Sequence, residues 1–435
     1  MKLLKLTFLY ALLLFCQVAN AQLSLGNYAI ESVNIVDVEQ GEILYNYTII
    51  ITDGKISSLL PSSEYVANDT LHAIRMKGKY VIPGLIDTHV HLATNPTEEI
   101  RANAEKTLHE MLLSGVTSVR DMAGDTRALS SLSRDALVGD IVSPDIYYSA
   151  LMAGTVFFSD PRTIASAQGG ESGKMPYMRE IADDTDLTLA VAEARGTGAK
   201  GIKLYANLTE SEIDGIGTEA ARQGIKVWAH AALPPTKPSA VIGAGVVSVS
   251  HSPMLVHEKY PEKKDLPKSW LEQDLSKDNT AFWDKEYKKL GVENLYEEMK
   301  QNGVILDATV SVYKHFVAGN QQQHWKYEMC KRITEAAHKA GVTISAGSDT
   351  DQATFVQEEM KLLVNECGFA PMEAIKAATV YAAQAIAMEK SEGTLEEGKK
   401  ANLVILNGNP IENINNIDQV VLVIKSGKLY TGKGA

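Results

Sequence analysis

Cysteine is scarce in this sequence, with 3 in 435 residues. Cys16 lies near the N-terminus, and Cys330 and Cys367 fall in helix-like stretches far apart, so at most one disulfide is available to the rest of the chain. A disulfide-stapled scaffold is excluded. Positive charge is also short: 42 Lys and Arg against 54 Asp and Glu leave a formal charge of −12. That sign disfavours nucleic acid and anionic membrane surfaces as main partners, because both require a positive footprint. Long apolar runs are missing too. The run Leu6 to Phe15 is too short for stable membrane insertion, which takes about 20 residues in a helix.

What is present is an ordinary globular composition, 45% apolar and 22% charged, neither disordered nor collagen-like. Residues 1–21 read as a signal peptide: Lys2 and Lys5 open it, the short apolar run follows, and Ala19-Asn20-Ala21 supplies small residues before Gln22. Cys16 follows the bulky Phe15 where a lipid-attachment motif wants a small residue. The expectation is an exported protein, periplasmic or secreted. Oligomeric state is left open, with a homo-oligomer allowed.

The chain, at 435 residues, is longer than the roughly 250–300 at which single cores stop growing, so a large domain plus a smaller one is expected. From Tyr28 to about Val81 the texture is short strands and turns, with Ile30–Val36, Tyr47–Ile51 and Lys55–Leu59 as β-rich runs and Asp53-Gly54 between the last two. The same texture returns in Ala401–Leu406, Val420–Lys425 and Lys428–Tyr430. Residues 22–82 and 393–435 are therefore expected to build one composite β-sandwich domain. The middle, 83–392, alternates apolar strands with helical stretches. Strands are expected at Leu85–His89, Ser118–Asp121, Asp145–Ser149, Gly201–Tyr205, Lys226–His230, Val246–His251, Val304–Thr309 and Thr343–Asp349, with helices such as Thr97–Ser114 and Leu208–Gln223 between them. Eight such units indicate an α/β fold, a (β/α)8 TIM barrel. A charged excursion, Leu255 to about Gln301, follows the sixth strand on the face where catalytic loops sit, and reads equally as a lid or a solvated connector.

The strongest chemical signal is Val81-Ile82-Pro83-Gly84-Leu85-Ile86-Asp87-Thr88-His89-Val90-His91. Residues two apart on a strand share a side, so His89 and His91 present two imidazoles to one centre. Alone, such a pair reads more readily as unrelated surface or core histidines. Its place at the end of an apolar strand entered through Pro-Gly, where barrel enzymes carry catalytic groups, favours the functional reading.

With this string the sequence resembles the metal-dependent amidohydrolase superfamily, and the resemblance runs from about Tyr28 to Lys428. It includes Pro371–Thr379 and the segment Gly393–Leu403 before the last strands. Within the superfamily the chain looks most like the branch of binuclear Xaa-Pro and Xaa-Arg dipeptidases and imidazolonepropionase-like proteins. The resemblance implies His89 and His91 as first-strand metal ligands and Lys203, in Gly201–Tyr205, as a carboxylated lysine. It likewise implies His230, in Val227–Ala231, His251, in Val247–His251, and Asp349, in Ala346–Asp349, as further ligands. Two divalent metal ions, Zn2+ in the first instance, and a CO2-derived carbamate on Lys203 complete the implied centre. The implied reaction is hydrolysis of an amide-type C–N bond by a metal-bridging hydroxide, with Asp349 as the catalytic general base and then general acid.

Elementary chemistry supports this set. Four histidines and an aspartate with no cysteine suit Zn2+ or another divalent first-row metal. A lysine ammonium beside such cations is repelled, whereas a carbamate is an anion with two oxygens that can bridge them. The charge of two cations exceeds that of carbamate, aspartate and hydroxide together, which favours the oxyanion that develops when a carbonyl is attacked.

Singly, each residue has a bland reading: His230 and His251 as packed core side chains, Lys203 as a strand-end lysine, Asp349 as a helix cap. Jointly, in strand order, the functional reading is favoured. His72, His109, His257, His315, His324 and His338 are taken as non-ligands. Tyr205, two positions beyond Lys203, is expected to bind a small-molecule substrate. Arg120 and Tyr313 could meet a carboxylate, or Arg120 could pair with the adjacent Asp121. Ser149–Gly154 departs from the Gly-Gly-His seen in some dipeptidase-like members, which weakens the dipeptidase assignment. The rivals are a mononuclear deaminase or imidazolonepropionase-like enzyme and a non-catalytic barrel scaffold. Leu233 stands where many deaminases carry a glutamate, and no expected ligand is missing.

Overall fold

The computed structural model describes residues 26–273, 277–319, 321–349 and 355–434, so the leader expected at 1–21 lies outside the described residues. Eight parallel strands form the barrel: Leu85–Val90, Val116–Asp121, Asp145–Gly154, Gly201–Leu204, Lys226–His230, Ser248–Ser250, Ile305–Asp307 and Ile344–Ser345. The ring closes through backbone bonds between the first and last strands. Thr88 N donates to Ala346 O (3.2 Å), and Asp349 N donates to His89 O (2.7 Å).

Three strands are shorter than the apolar pattern suggests. His251, Thr309 and Asp349, just beyond these three strands, adopt left-handed backbone angles (φ 76°, 53° and 51°). The third strand is longer than expected, because Leu151–Gly154 pairs with the distant segment Met178–Ile181. Helices lie close to the expected positions. Glu98–Leu113 is capped by Thr97, whose side chain accepts from Ile100 N. Glu210–Gln223 starts with a capping box between Thr209 and Glu212. The excursion after the sixth strand is packed down: Trp270 and Trp283 are buried in it and stack edge-on at 6.0 Å, and Trp270 meets Trp325 of the helix His324–Lys339 at 5.6 Å. No helix among the described residues is long and apolar enough to cross a membrane.

Both chain ends meet in a separate eight-stranded sheet. Its splice is Tyr80–Pro83, parallel to Tyr28–Asp37 on one side and antiparallel to Leu403–Leu406 on the other. Asp53 and Gly54, both with positive φ, make the two-residue hairpin between Glu42–Thr52 and Lys55–Pro61. The sheet curls over its own core of Ile30, Ile35, Ile49, Ile51, Val81, Leu403, Ile405 and Ile424. Backbone bonds from Ile56 N to Lys399 O (3.0 Å) and from Ala401 N to Gly54 O (2.9 Å) draw the hairpin onto the returning chain.

Charge docks this sheet on the barrel. Asp145, at the start of the third barrel strand, pairs with Lys425 (2.7 Å) and Lys400 (2.8 Å) of the sheet. Lys400 also reaches the buried Glu392 (2.7 Å), which accepts from Tyr147 Oη (2.8 Å) and from Ser118. Burial works against ionisation of Asp145, but Lys425 and Lys400 outweigh it and hold its pKa low. Its contribution to stability is therefore present above the ordinary carboxylate pKa and disappears as pH falls through the depressed folded value. Asp145→Ala strands the buried Lys425 ammonium, while Lys400 keeps Glu392, and is expected to lower unfolding stability by about 3–5 kcal/mol. Urea unfolding at neutral pH checks this, and an unchanged midpoint would contradict the docking role.

Candidate metal centre

The first barrel strand carries His89 and, just past its end, His91. Both Nε2 atoms face one oxygen of Asp349: His91 at 3.2 Å and His89 at 3.5 Å from Oδ1. Donor atoms of these three residues all lie within 4.8 Å of one another, the only such group among the described residues. The other carboxylate oxygen of Asp349 is 3.7 Å from His251 Nδ1. His251 stacks on His230 with ring centroids 4.5 Å apart and stands 4.9 Å from the His89 ring. Lys203 completes the floor, its Nζ 3.3 Å from Ser250 Oγ. The six ligands expected from the resemblance thus converge at the C-terminal ends of strands one, four, five, six and eight.

Hydrogen-bond partners prepare the imidazoles to bind a cation. His89 Nδ1 lies 2.8 Å from Asp307 Oδ2, and His230 Nδ1 lies 3.2 Å from the carbonyl of Tyr205. Neither acceptor can donate, so each Nδ1 carries the proton and each Nε2 keeps its lone pair free. His251 Nδ1 meets Thr309 Oγ1 at 2.9 Å. Burial lowers the pKa of His89, of His230 (helped by the Lys203 charge) and of His251, which keeps them neutral. His91 goes the other way: its bond to Asp349 and that carboxylate's charge outweigh burial and raise it. Asp349 is held ionised against burial by His89, His91 and His251. Burial, reinforced by the Arg120 charge, pulls the Lys203 ammonium down to about 7. The neutral amine is the form that adds CO2. A donor set of neutral imidazoles, one ionised carboxylate and an easily deprotonated lysine fits a divalent first-row cation.

Arg120 corrects one expectation. It does not pair with Asp121; it is fully buried beneath the centre and reaches Asp307 Oδ2 (3.4 Å). Its Nε donates to Thr88 O (2.6 Å), its Nη1 to Ser248 Oγ and Ala385 O (3.1 Å each), and its plane lies 4.8 Å from the Trp228 ring. Asp121 instead accepts from Leu92 N (2.6 Å) and Gly124 N (3.0 Å). Tyr205, half-buried, places its ring 4.3 Å from His230. Tyr313 is buried on the helix Val310–Gly319, 6.2 Å from the His251 ring.

Sequence reasoning missed the residues that orient the ligands. Asp307 is the chief one, receiving His89, Arg120, Ser250 Oγ (3.0 Å) and, at its other oxygen, Thr88 Oγ1 (3.1 Å). Asp87 accepts from His89 N (3.1 Å), Ser348 N (2.9 Å) and Ser348 Oγ (2.5 Å). A carboxylate inside an otherwise apolar strand, as in Leu306-Asp307-Ala308, was the available signal.

Residues 80–430 match the family described as Amidohydrolase family. Ochratoxinase of Aspergillus niger is 28% identical over 456 aligned positions, covering 91% of this chain and 85% of that protein. Among solved structures, a Xaa-Pro dipeptidase with bound methionine superposes with a TM-score of 0.74 at 22% identity, covering 94% of this chain and all of the other. The crystal structure of A. niger ochratoxinase gives 0.73 at 24% identity, covering 94% and 97%. A family match over four-fifths of the length, on a barrel whose strand ends gather these side chains, means that the chain belongs to the amidohydrolase family and is a hydrolase acting on carbon–nitrogen bonds.

Proposed function

We propose that the protein is a binuclear metal-dependent amide hydrolase, with a dipeptide, an N-acyl amino acid or a cyclic amide as substrate. The observation that carries this reading is the cluster of His89, His91 and Asp349 with His251, His230 and Lys203 beside it, the Nδ1 protons of His89 and His230 both fixed on acceptors away from the centre. Full-length similarity to ochratoxinase and the fold shared with a Xaa-Pro dipeptidase support an amide over other C–N bonds. Leu233 in place of an acid beyond His230, together with the buried Lys203, favours the binuclear reading over a mononuclear deaminase.

His89, His91 and Asp349 would hold one cation and His230 and His251 the other, with Lys203 between them as its carbamate. When bound, such cations, Zn2+ suiting these donors, lower the pKa of water to about 7 and polarise a carbonyl. The remaining work falls to the chain. Asp349, kept ionised by its histidine neighbours, accepts the proton of the attacking water as the C–O bond forms. It returns that proton to the leaving nitrogen as the C–N bond breaks. Tyr205 borders His230, from where its hydroxyl can orient the substrate carbonyl. Burial of Lys203, His89 and His251 keeps bulk water out of the floor of the site.

Hydrolysis of at least one member of a panel of dipeptides, N-acyl amino acids, cyclic amides and lactones is expected from metal-loaded protein. Silence across the whole panel would remove the amide reading. Asp349→Asn is expected to lower kcat/KM by about 10²–10⁴-fold on whichever substrate turns over; full activity would take the proton transfer away from Asp349. Asp307→Asn leaves the ligands in place but weakens the hold on His89 Nδ1. Metal affinity, measured by competition with a chelator, is expected to fall about 10–100-fold. An unchanged affinity would mean that the Asp307 contact does not tune the site.

A further inference from the structure

The excursion after the sixth strand leaves a cavity of about 390 Å³ between itself and the start of the helix His324–Lys339. Met254, Leu266, Leu271 and Trp325 give it an apolar wall, and Lys263 and Lys326 bring two ammoniums to it. Its size falls within the range of small-molecule sites, about 300–1,000 Å³. None of the six candidate metal ligands lines it. The two places meet through the backbone, where Met254 N donates to His251 O (2.9 Å).

Charge in this cavity is unanswered. Nearby lysines meet carboxylates: Lys264 pairs with Glu262 (2.7 Å) and Lys331 with Glu328 (2.9 Å). Among the described residues Lys263 and Lys326 form no ion pair. Lys263 is exposed, and water accounts for it. Lys326 is half-buried; burial and the Lys263 charge both lower its pKa, and no carboxylate raises it. The Trp325 ring, 5.9 Å from its Nζ, stands at the outer limit of cation–π attraction. Trp325 itself is 4% exposed, and its indole N–H has no acceptor among the described residues, whereas the N–H of Trp270 donates to Glu286 (2.9 Å). The helix begins at this wall and no side chain caps it, so the positive end of its dipole adds to the lysines. Burial and the Lys326 charge lower the pKa of His257, on the same wall, against its bond to the Tyr260 carbonyl, so the imidazole stays neutral.

We propose that this cavity is a second ligand site, taking a small organic anion: a carboxylate on an apolar or aromatic body. The carboxylate rests between Lys326 and Lys263 at the uncapped helix start and gives each ammonium the partner it lacks. The body covers Met254, Leu266 and Leu271 from water. A charge-assisted hydrogen bond to a half-buried ammonium outweighs one to an exposed ammonium, so Lys326 carries more of the affinity than Lys263. The proposal stands apart from the amide-hydrolase reading, because the cavity shares no side chain with the metal centre.

Isothermal titration of metal-loaded full-length protein with phenylacetate tests this. Phenethyl alcohol serves as the uncharged counterpart and acetate as the anion without a body. Phenylacetate is expected to bind with a Kd of about 0.1 mM or tighter. The alcohol and acetate are each expected to bind at least about tenfold more weakly. Lys326→Gln is expected to weaken phenylacetate about tenfold and Lys263→Gln about threefold. Lys285→Gln, exposed on the same excursion and outside the cavity, is expected to leave its affinity unchanged. Lys263 is exposed, so its variant keeps the measurement available if Lys326→Gln fails to fold. No binding of phenylacetate would overturn the site, as would binding of the alcohol or of acetate with equal affinity. Phenylacetate affinity that both lysine variants leave intact would overturn it too, placing the carboxylate on the metal ions instead. None of these results touches the amide reading, which the substrate panel decides.

Discussion

Asp307 is a fully buried carboxylate, and most of the active face is organised around its charge. Burial alone would favour the neutral acid, yet its hydrogen bond to His89 and the neighbouring Arg120 charge keep its pKa low. An anion in that position must be answered from every direction. The answers come from Thr88 and His89 on the first strand, Arg120 on the second and Ser250 on the sixth. One carboxylate thereby sets the tautomer of a metal-ligand candidate and draws together strands that are distant in sequence. The crowding reaches the last strand: a side chain at Gly347 would collide with Asp307 Oδ1 and His89 Cβ. Glycine is required there by close approach.

A second constraint is backbone strain at the strand ends. His251, Thr309 and Asp349 occupy the left-handed region, which costs a non-glycine residue about 1–3 kcal/mol in settings of this kind. Neighbouring groups hold these turns. His251 N donates to Asp307 O (2.9 Å). Glu359, fully buried, accepts from Val310 N (2.8 Å) and Ser311 N (2.7 Å) and so secures the chain just beyond Thr309. Asp87 does the same for Ser348 beside Asp349. Strained residues clustered where candidate ligands converge are what a preorganised centre requires, since the donors then need no rearrangement when charge develops on a substrate.

The barrel was legible in the sequence because each of its strands is a short apolar run and its helices announce their ends, as Thr97 and Thr209 do. That both termini build one sheet followed from matching β texture at the two ends, whereas its splice through Tyr80–Pro83 did not. What stayed hidden depends on contacts between distant segments: the extension of the third strand by Met178–Ile181, and the pairing of Arg120 with Asp307 across 187 residues rather than with its neighbour Asp121. The candidate ligands could be named because motif context marks them. The carboxylates that orient them were passed over: Asp87 lies within the motif string and Asp307 within an apolar strand, but what each binds depends on segments distant in sequence.

On the proposed reading, six side chains at the ends of five barrel strands hold a pair of cations. Elemental analysis of the protein after reconstitution with Zn2+ and removal of excess metal addresses it most directly. The account predicts two equivalents per chain in the wild type and a loss of at least one in Lys203→Ala. A wild-type protein that retains one equivalent or none, or a Lys203→Ala protein that still retains two, would contradict it.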